Sequence, residues 1–290
     1  MTTPLHPMKH LTELLSAILI FALTTLFAQE PAEAYKYIGV GYYDAGHLYD
    51  TIPSPFHRDA NYTPQGRYHW DTAHYRAKIR QTSAILDSLS LPIIGVWGIE
   101  NEAVARDIAL ACREDYSFTH LTLTSLTGLD FALFYYGDRF IPERQFAGRQ
   151  TMIILGEIFI HTSDHGEKIA IVLSQDRDLA DDYLRDLREK FPQYRILLMG
   201  RIKEQDVKEL GLSDCLARDA RNGRGNIYTS RGWKMQDRIH LDTGFHQLRG
   251  GVFMRGYLID KERSNLQKGF RKGRHSDRAV EALPIFTYFN

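Results

Sequence analysis

The chain is predicted to fold as an α/β protein, with two packed sheets flanked by helices. Apolar runs of strand length alternate with stretches of helical period along most of its length. No internal repeat, low-complexity tract or long linker interrupts that order, so one large domain is expected. A content of 43% hydrophobic and 12% aromatic residues supports a folded core.

The elements follow in order. Tyr37-Ile38-Gly39-Val40-Gly41-Tyr42-Tyr43 reads as a first strand. From Asp71 to Ser90, Tyr75, Ile79, Thr82, Leu86 and Leu89 recur on one helical face, with Asp71 as N-cap and Pro92 as the stop. Ile93 to Trp97 is the next strand. A helix from Asn101 to Cys112 buries Val104, Ile108 and Cys112. Phe131 to Tyr135 is a third strand. Thr151 to His161 and Lys168 to Leu173 read as a hairpin. Leu179, Tyr183, Leu187 and Phe191 mark a helix that Pro192 ends. Tyr194 to Met199, Met235 to Leu241 and Leu283 to Phe289 complete the strands.

Residues 1–28 read as a signal peptide. A short basic start at Lys9 precedes the apolar stretch Leu11 to Leu23, and Ala28 offers a small residue for cleavage. Ala32-Glu33-Ala34 is a second cleavage option, and Met8 an alternative start. The competing reading is a membrane anchor, which the interruptions at Glu13 and several Ser/Thr oppose. No cysteine lies near the leader, which excludes a bacterial lipoprotein anchor. The mature chain is thus expected to be exported, to the periplasm, cell envelope or medium, without a transmembrane anchor.

The chain has 36 basic and 36 acidic residues among 290, so no global field favours nucleic acid or an anionic membrane. Cys112 and Cys215 could form a disulfide in an exported protein or stay as separate thiols. They make no zinc signature.

Several segments together resemble the endonuclease/exonuclease/phosphatase superfamily, especially secreted Bacteroidetes-type members. Tyr42-Tyr43-Asp44-Ala45-Gly46-His47-Leu48-Tyr49-Asp50-Thr51 is similar to the opening F-Y-N-V-E-N-L-F-D-T. Tyr62 to Trp70 resembles F-T-P-x-G-x-x-x-W, and Tyr75 to Ile79 resembles R-Y-x-x-K-L. Ile93 to Asn101 resembles I-I-G-L-Q-E-V-E-N, and Gly128 to Leu133 resembles G-I-D-V-A-L. Gly232 to Ile239 resembles a segment ending W-x-x-x-D-x-I. Ser276-Asp277-Arg278 stands where S-D-H is expected. The resemblance covers residues 35–290 and implies a four-layer α-β-β-α sandwich of two packed mixed sheets flanked by helices.

It also implies a chemistry, and the residues that would carry it are replaced. Such proteins hydrolyse phosphoesters around Mg²⁺ held by a Glu and neighbouring Asp/Asn. The opening Asn corresponds to Asp44. The metal-binding Glu corresponds to Gly98; Glu100 already matches the second Glu of that motif. The mid-chain His corresponds to Ser174, with His161 as the alternative. The strand after Ile196-Leu197-Leu198 ends in G-D-F-N in the family, and its Asp and Asn correspond to Arg201 and Lys203. The late Asp remains as Asp237. In the terminal motif Asp277 remains and the His is Arg278.

Cations therefore stand where the chemistry needs anions and amides. The resemblance implies a vestigial site of Asp44, Gly98, Ser174, Arg201, Lys203, Asp237, Asp277 and Arg278, with no metal or other cofactor. The expected role is binding of a protein partner or an anionic ligand. The rival reading is an active metal-dependent phosphodiesterase with relocated ligands. The basic tract Lys261 to Arg274 invites a phosphate or nucleic-acid reading, and a mobile, solvated loop is the favoured one. His161 and His165 are read as surface histidines. Tyr42-Tyr43 and Tyr135-Tyr136 are read as core packing, not a base-stacking platform.

Overall fold

A computed structural model describes residues 36–160, 166–176, 181–202, 207 and 209–260, with 265–266, 270–271, 274–275 and 280–290. Residues 36–290 form one compact unit. The expected leader, His161, His165, Leu179, Lys203, Asp277, Arg278 and most of the basic tract lie outside the described residues.

The first sheet contains β1 (Ile38–Leu48), β2 (Ile93–Ile99), β3 (Ser117–Leu121), β4 (Asp130–Tyr135), β13 (Gln247–Val252) and β14 (Ile285–Phe289). Its strand order is β13-β14-β1-β2-β4-β3. The second contains β5 (Phe140–Gly148), β6 (Thr151–Ile158), β7 (Glu167–Ser174), β8 (Arg195–Gly200), β9 (Leu212–Asp214) and β12 (Arg238–Asp242), in the order β5-β6-β7-β8-β12-β9. A separate hairpin pairs β10 (Ile227–Thr229) with β11 (Gly232–Lys234). Both sheets are mixed. Each has one parallel pair near its middle, β1 with β2 and β7 with β8, and antiparallel neighbours around it.

Strand alternation sorts the side chains into layers. Ile38, Val40 and Tyr42 of β1 face inward with Ile93, Phe131, Leu133, Ile171, Leu173, Leu197 and Met199. Tyr43 and Ala45 face outward and pack with Ile79, Ile85 and Leu86 of helix α1 (Thr72–Leu89) and Val104 and Ile108 of α2 (Glu102–Ala111). On the far side, Ala170, Val172, Ile196 and Leu198 pack with Leu184 and Leu187 of α3 (Asp181–Lys190). The result is the expected α-β-β-α layering. Truncating an inward Leu or Ile would cost about 2–5 kcal/mol.

Both outer helices of the first sheet start on side-chain caps. Asp71 accepts from the His74 N–H at 2.9 Å, and Asn101 accepts from the Val104 N–H at 3.0 Å. Tyr42 and Tyr43 are buried core residues, while Tyr135 and Tyr136 are half-buried.

Several expectations are corrected. The first strand of the hairpin ends at Ile158, not His161. The late strand starts at Arg238, not Met235, because the Gln236 and Asp237 N–H groups both bond to the Asn226 side chain. Strands β3, β5, β9 and β13 of the two sheets, and the β10–β11 hairpin, were not foreseen. Cys112 is half-buried, Cys215 is buried and both are free thiols, so the disulfide option falls away. Burial pushes both thiols up to about 12, well outside the range of reactive thiolates.

Candidate functional site

The polar cluster of interest lies where β1, β8 and β12 end. Asp44 continues the inward face of β1 beyond Tyr42, Arg201 follows Met199 of β8 with the same parity, and Asp237 immediately precedes β12. The Arg201 Nη2 lies 3.4 Å from Asp44 Oδ2, and its Nε lies 3.9 Å from Asp237 Oδ1. With the Gln236 amide oxygen turned toward Arg201, that oxygen accepts from Nη2 at 2.5 Å and from Nε at 3.3 Å. The guanidinium is thus bracketed by two carboxylates and an amide, with 29% of the side chain still open to solvent.

Asp237 is fully buried and is held by Asn226, whose Nδ2 donates to Asp237 Oδ2 at 2.6 Å. The Asn226 oxygen accepts from the Gln236 and Asp237 N–H groups at 2.8 and 3.2 Å. One amide therefore fixes both the acid and the turn that carries it. Asp44 Oδ1 accepts from the Gly46 N–H at 2.9 Å.

Burial pushes the Asp44 carboxyl up to about 7, and repulsion from Asp237 and Glu281 adds to it; the Gly46 N–H and Arg201 oppose this without cancelling it. Burial likewise raises the Tyr42 hydroxyl well above its ordinary value, reinforced by Asp237 and Asp44.

Further charged side chains, Lys78 and Glu281, act on Asp44 or are acted on by it. Lys78 of α1 is buried, and burial lowers its pKa while Glu281 and Asp44 pull it back up. Glu281 Oε1 lies 3.0 Å from His47 Nδ1. Burial disfavours the charged imidazole, but the bond and charge of Glu281 outweigh it and raise His47 overall.

The sequence-predicted residues divide clearly. Asp44, Arg201 and Asp237 come together. Gly98 sits behind Asp44 in a break in the β1–β2 register, with φ at +90°. A Cβ there would lie 2.2 Å from the Gly46 carbonyl oxygen, so no larger residue fits this backbone. Ser174 turns away: its Oγ bonds to Thr151 Oγ1 at 3.0 Å and accepts from the Asp176 N–H. The next residue, Gln175, reaches the inner side and donates to the Tyr42 hydroxyl at 2.7 Å.

Asn226, Gln236, Gln175, Lys78 and Glu281 were not picked out from sequence. Two carried a usable signal: Gln236, as the neighbour of Asp237, and Lys78, as the Lys of the segment that resembles R-Y-x-x-K-L.

Other motif segments prove structural. Tyr62 and Trp70 join Tyr49 and Leu129 in a buried cluster, and Trp70 Nε1 donates to the Tyr49 carbonyl at 2.9 Å. Asp130 accepts from the Leu123 N–H at 2.8 Å, and its other oxygen lies 3.2 Å from His120 Nε2. Glu100 Oε2 accepts from the Asp50 N–H at 2.6 Å, which ties down the loop after β1.

These residues do not suit a divalent metal. Among the described residues, no group of three or more His, Cys, Asp or Glu could hold an ion. Arg201 occupies the space between the two acids. Gly98 supplies no donor. No step through a metal is therefore derived.

The arrangement defines a class: an α/β sandwich of two mixed six-stranded sheets with a charged cluster at one end of its central strands. Residues 39–155 match the Endonuclease/Exonuclease/phosphatase family, and the chain has the fold of that superfamily. The matched segment holds Asp44 and Gly98; Ser174, Arg201 and Asp237 lie beyond it. An endonuclease/exonuclease/phosphatase family protein from Bacteroides thetaiotaomicron is 14% identical. Its superposition covers 87% of this chain and 94% of that one with a TM-score of 0.57. A mannosyl-6-phosphatase from the same species is 14% identical over 87% and 99% of the two chains, with a TM-score of 0.53. A conserved protein of unknown function from Enterococcus faecalis is 12% identical, covering 87% and 99% with a TM-score of 0.55. No curated protein matches the chain in sequence.

Proposed function

We propose that this protein is an exported member of its superfamily whose cleft no longer hydrolyses phosphoesters and acts by binding, either a protein partner or an anionic ligand. The observation that carries this reading is Arg201, whose guanidinium lies between Asp44 and Asp237. Metal-dependent phosphoryl chemistry needs a divalent cation between carboxylates to stabilise charge in the transition state. A guanidinium there satisfies the carboxylates without offering open coordination positions. Gly98 supports the reading, because its backbone excludes the side chain that would complete a metal site. Export rests on the leader-like residues 1–28. Among the described residues no helix is long and apolar enough to cross a membrane.

The test is a titration of Mg²⁺ and Mn²⁺ with bis(p-nitrophenyl) phosphate, an abasic DNA duplex and a mannose 6-phosphate ester. No metal-dependent turnover is expected, and EDTA should leave the melting temperature unchanged. Magnesium-dependent turnover that Asp237→Ala abolishes would establish the rival, an active phosphoesterase with relocated ligands. If phosphate raises the melting temperature and Arg201→Ala removes that rise, the ligand is anionic. No response to any anion leaves a protein partner as the occupant.

A further inference from the structure

We propose that the protein carries a second binding site along the edge of the sandwich where β9 and β13 meet, for a small oxyanion attached to a flat apolar body. The two sheets leave an open edge where β9, the last strand of one, meets β13, the last strand of the other. Gln247 bridges this edge by donating to the Cys215 carbonyl at 2.9 Å. Beside that bridge lies a cavity of about 390 Å³ between the segment Asp214 to Arg221 and β13. Arg218, Arg221 and Arg249 line it.

Among the described residues, none of these three arginines makes an ion pair. The carboxylates that share the cavity wall are already served from elsewhere. Asp214 pairs with Arg238 at 2.6 Å, and Asp219 pairs with Arg224 at 3.4 Å. Arg249 lies over the Phe286 ring, 5.9 Å from its centroid, which leaves the fork itself without an anionic partner among the described residues. The wall therefore presents guanidinium groups not paired with carboxylates, whose planar forks match phosphate and carboxylate oxygens.

A second cavity of about 330 Å³ adjoins the first and shares Leu248 and Arg249 with it. Tyr37 and Tyr288 form its shelf, edge to face with ring centroids 5.6 Å apart. Tyr37 and Leu248 are about half exposed, which is unusual for large apolar side chains placed side by side. Cation and aromatic shelf together fit an anion with a ring attached.

This site is distinct from the Arg201 cluster. Arg249 pairs with Tyr288, which pairs with Gly39, near the start of β1. Asp44 lies further along the same strand, about 17 Å away at the usual rise per residue. The proposal stands whether or not the Arg201 cluster has lost catalysis.

Calorimetric titration of the whole protein with phenyl phosphate, benzoate and inorganic phosphate tests it. Phenyl phosphate or benzoate should bind, and more tightly than inorganic phosphate. Arg249→Ala or Arg218→Ala should weaken that binding about tenfold or more. Tyr37→Ala should erase the advantage over inorganic phosphate, and Arg201→Ala should change nothing. Absence of binding by both aromatic anions, or binding lost in Arg201→Ala but kept in Arg249→Ala, overturns the proposal. Equal affinity for phenyl phosphate and inorganic phosphate would remove the apolar half of the site.

Discussion

Asp44 shows how a single buried acid couples the cluster to pH. Its carboxyl ionises at about 7 in the folded chain, against roughly 4 when unfolded. Between those values the folded state holds a proton that the unfolded state has released. The associated stability is complete below about pH 4 and is lost as pH rises through 7. Glu100 acts in the same direction: burial chiefly pushes it up to about 8. Denaturant midpoints should therefore fall between about pH 5 and about pH 8, and Asp44→Asn should flatten part of that fall. A wild-type midpoint that rises over this range would show both carboxyls ionised throughout. Arg201→Ala should behave in the complementary way. At about pH 8 it leaves Asp44 and Asp237 facing each other without a cation and should cost about 2 kcal/mol. At about pH 5, where Asp44 is protonated, the loss should shrink. Equal losses at both values would mean that Arg201 contributes packing alone.

At the level of elements, two caps of the same kind should differ in weight. Asp71→Ala removes a half-exposed cap and should cost about 1 kcal/mol. Asn101→Ala removes both the α2 cap and the Nδ2 bond to Asp50 at 3.0 Å, and should cost about 2 kcal/mol. Chemical denaturation of the pair checks the order. The β1–β2 break gives a sharper test. Gly98→Glu restores the acid that the family motif would have, yet its Cβ meets the Gly46 carbonyl and its φ is positive. The variant should lose more than about 2 kcal/mol and gain no stabilisation from Mg²⁺. A Mg²⁺-dependent rise in its melting temperature would show that the backbone can adapt and that only the side chain was missing. The elements also explain what was readable in advance. Interior strands such as Ile169 to Leu173 and Ile196 to Met199 are buried on both faces, so they appear as unbroken apolar runs. Within the two six-stranded sheets, the strands that escaped notice, β3, β5, β9 and β13, are the edges. Edge strands carry polar residues, Gly and Pro, as in Gln247-Leu248-Arg249-Gly250-Gly251 and at Pro142, and such patterns do not stand out from loops.

For the whole molecule, the sandwich was legible because its central strands are continuous and capped helices separate them. The cluster was legible only where a motif pointed to it, at Asp44, Arg201 and Asp237. Asn226 and Gln175 act through long-range contacts that no local pattern encodes. The same long-range logic fixes where the folded unit must begin. Tyr37 carries the carbonyl that accepts from Arg139 Nη2 at 3.0 Å, while Arg139 Nε donates to the Phe159 carbonyl at 3.0 Å. One buried arginine thus joins the start of the first sheet to the second sheet. Ile38, the next residue, is fully buried in the inter-sheet core and pairs with Phe289 near the end of the chain. Removal of residues before Tyr37, by processing near Ala28 or Ala34, should leave stability unchanged. A chain that begins at Val40 would lose the burial of Ile38, worth about 2–3 kcal/mol, and leave an Arg139 donor without its acceptor, a further 1–3 kcal/mol. Against a typical total of about 5–15 kcal/mol, that loss is severe. Chains starting at Gln29, Lys36 and Val40 should therefore give two similar melting temperatures and one far lower. On the proposed export, mass spectrometry of the mature protein should find its first residue upstream of Tyr37. A mature terminus at Val40 or beyond, with an undiminished melting temperature, would show that the Arg139 link and the first turn of β1 are dispensable.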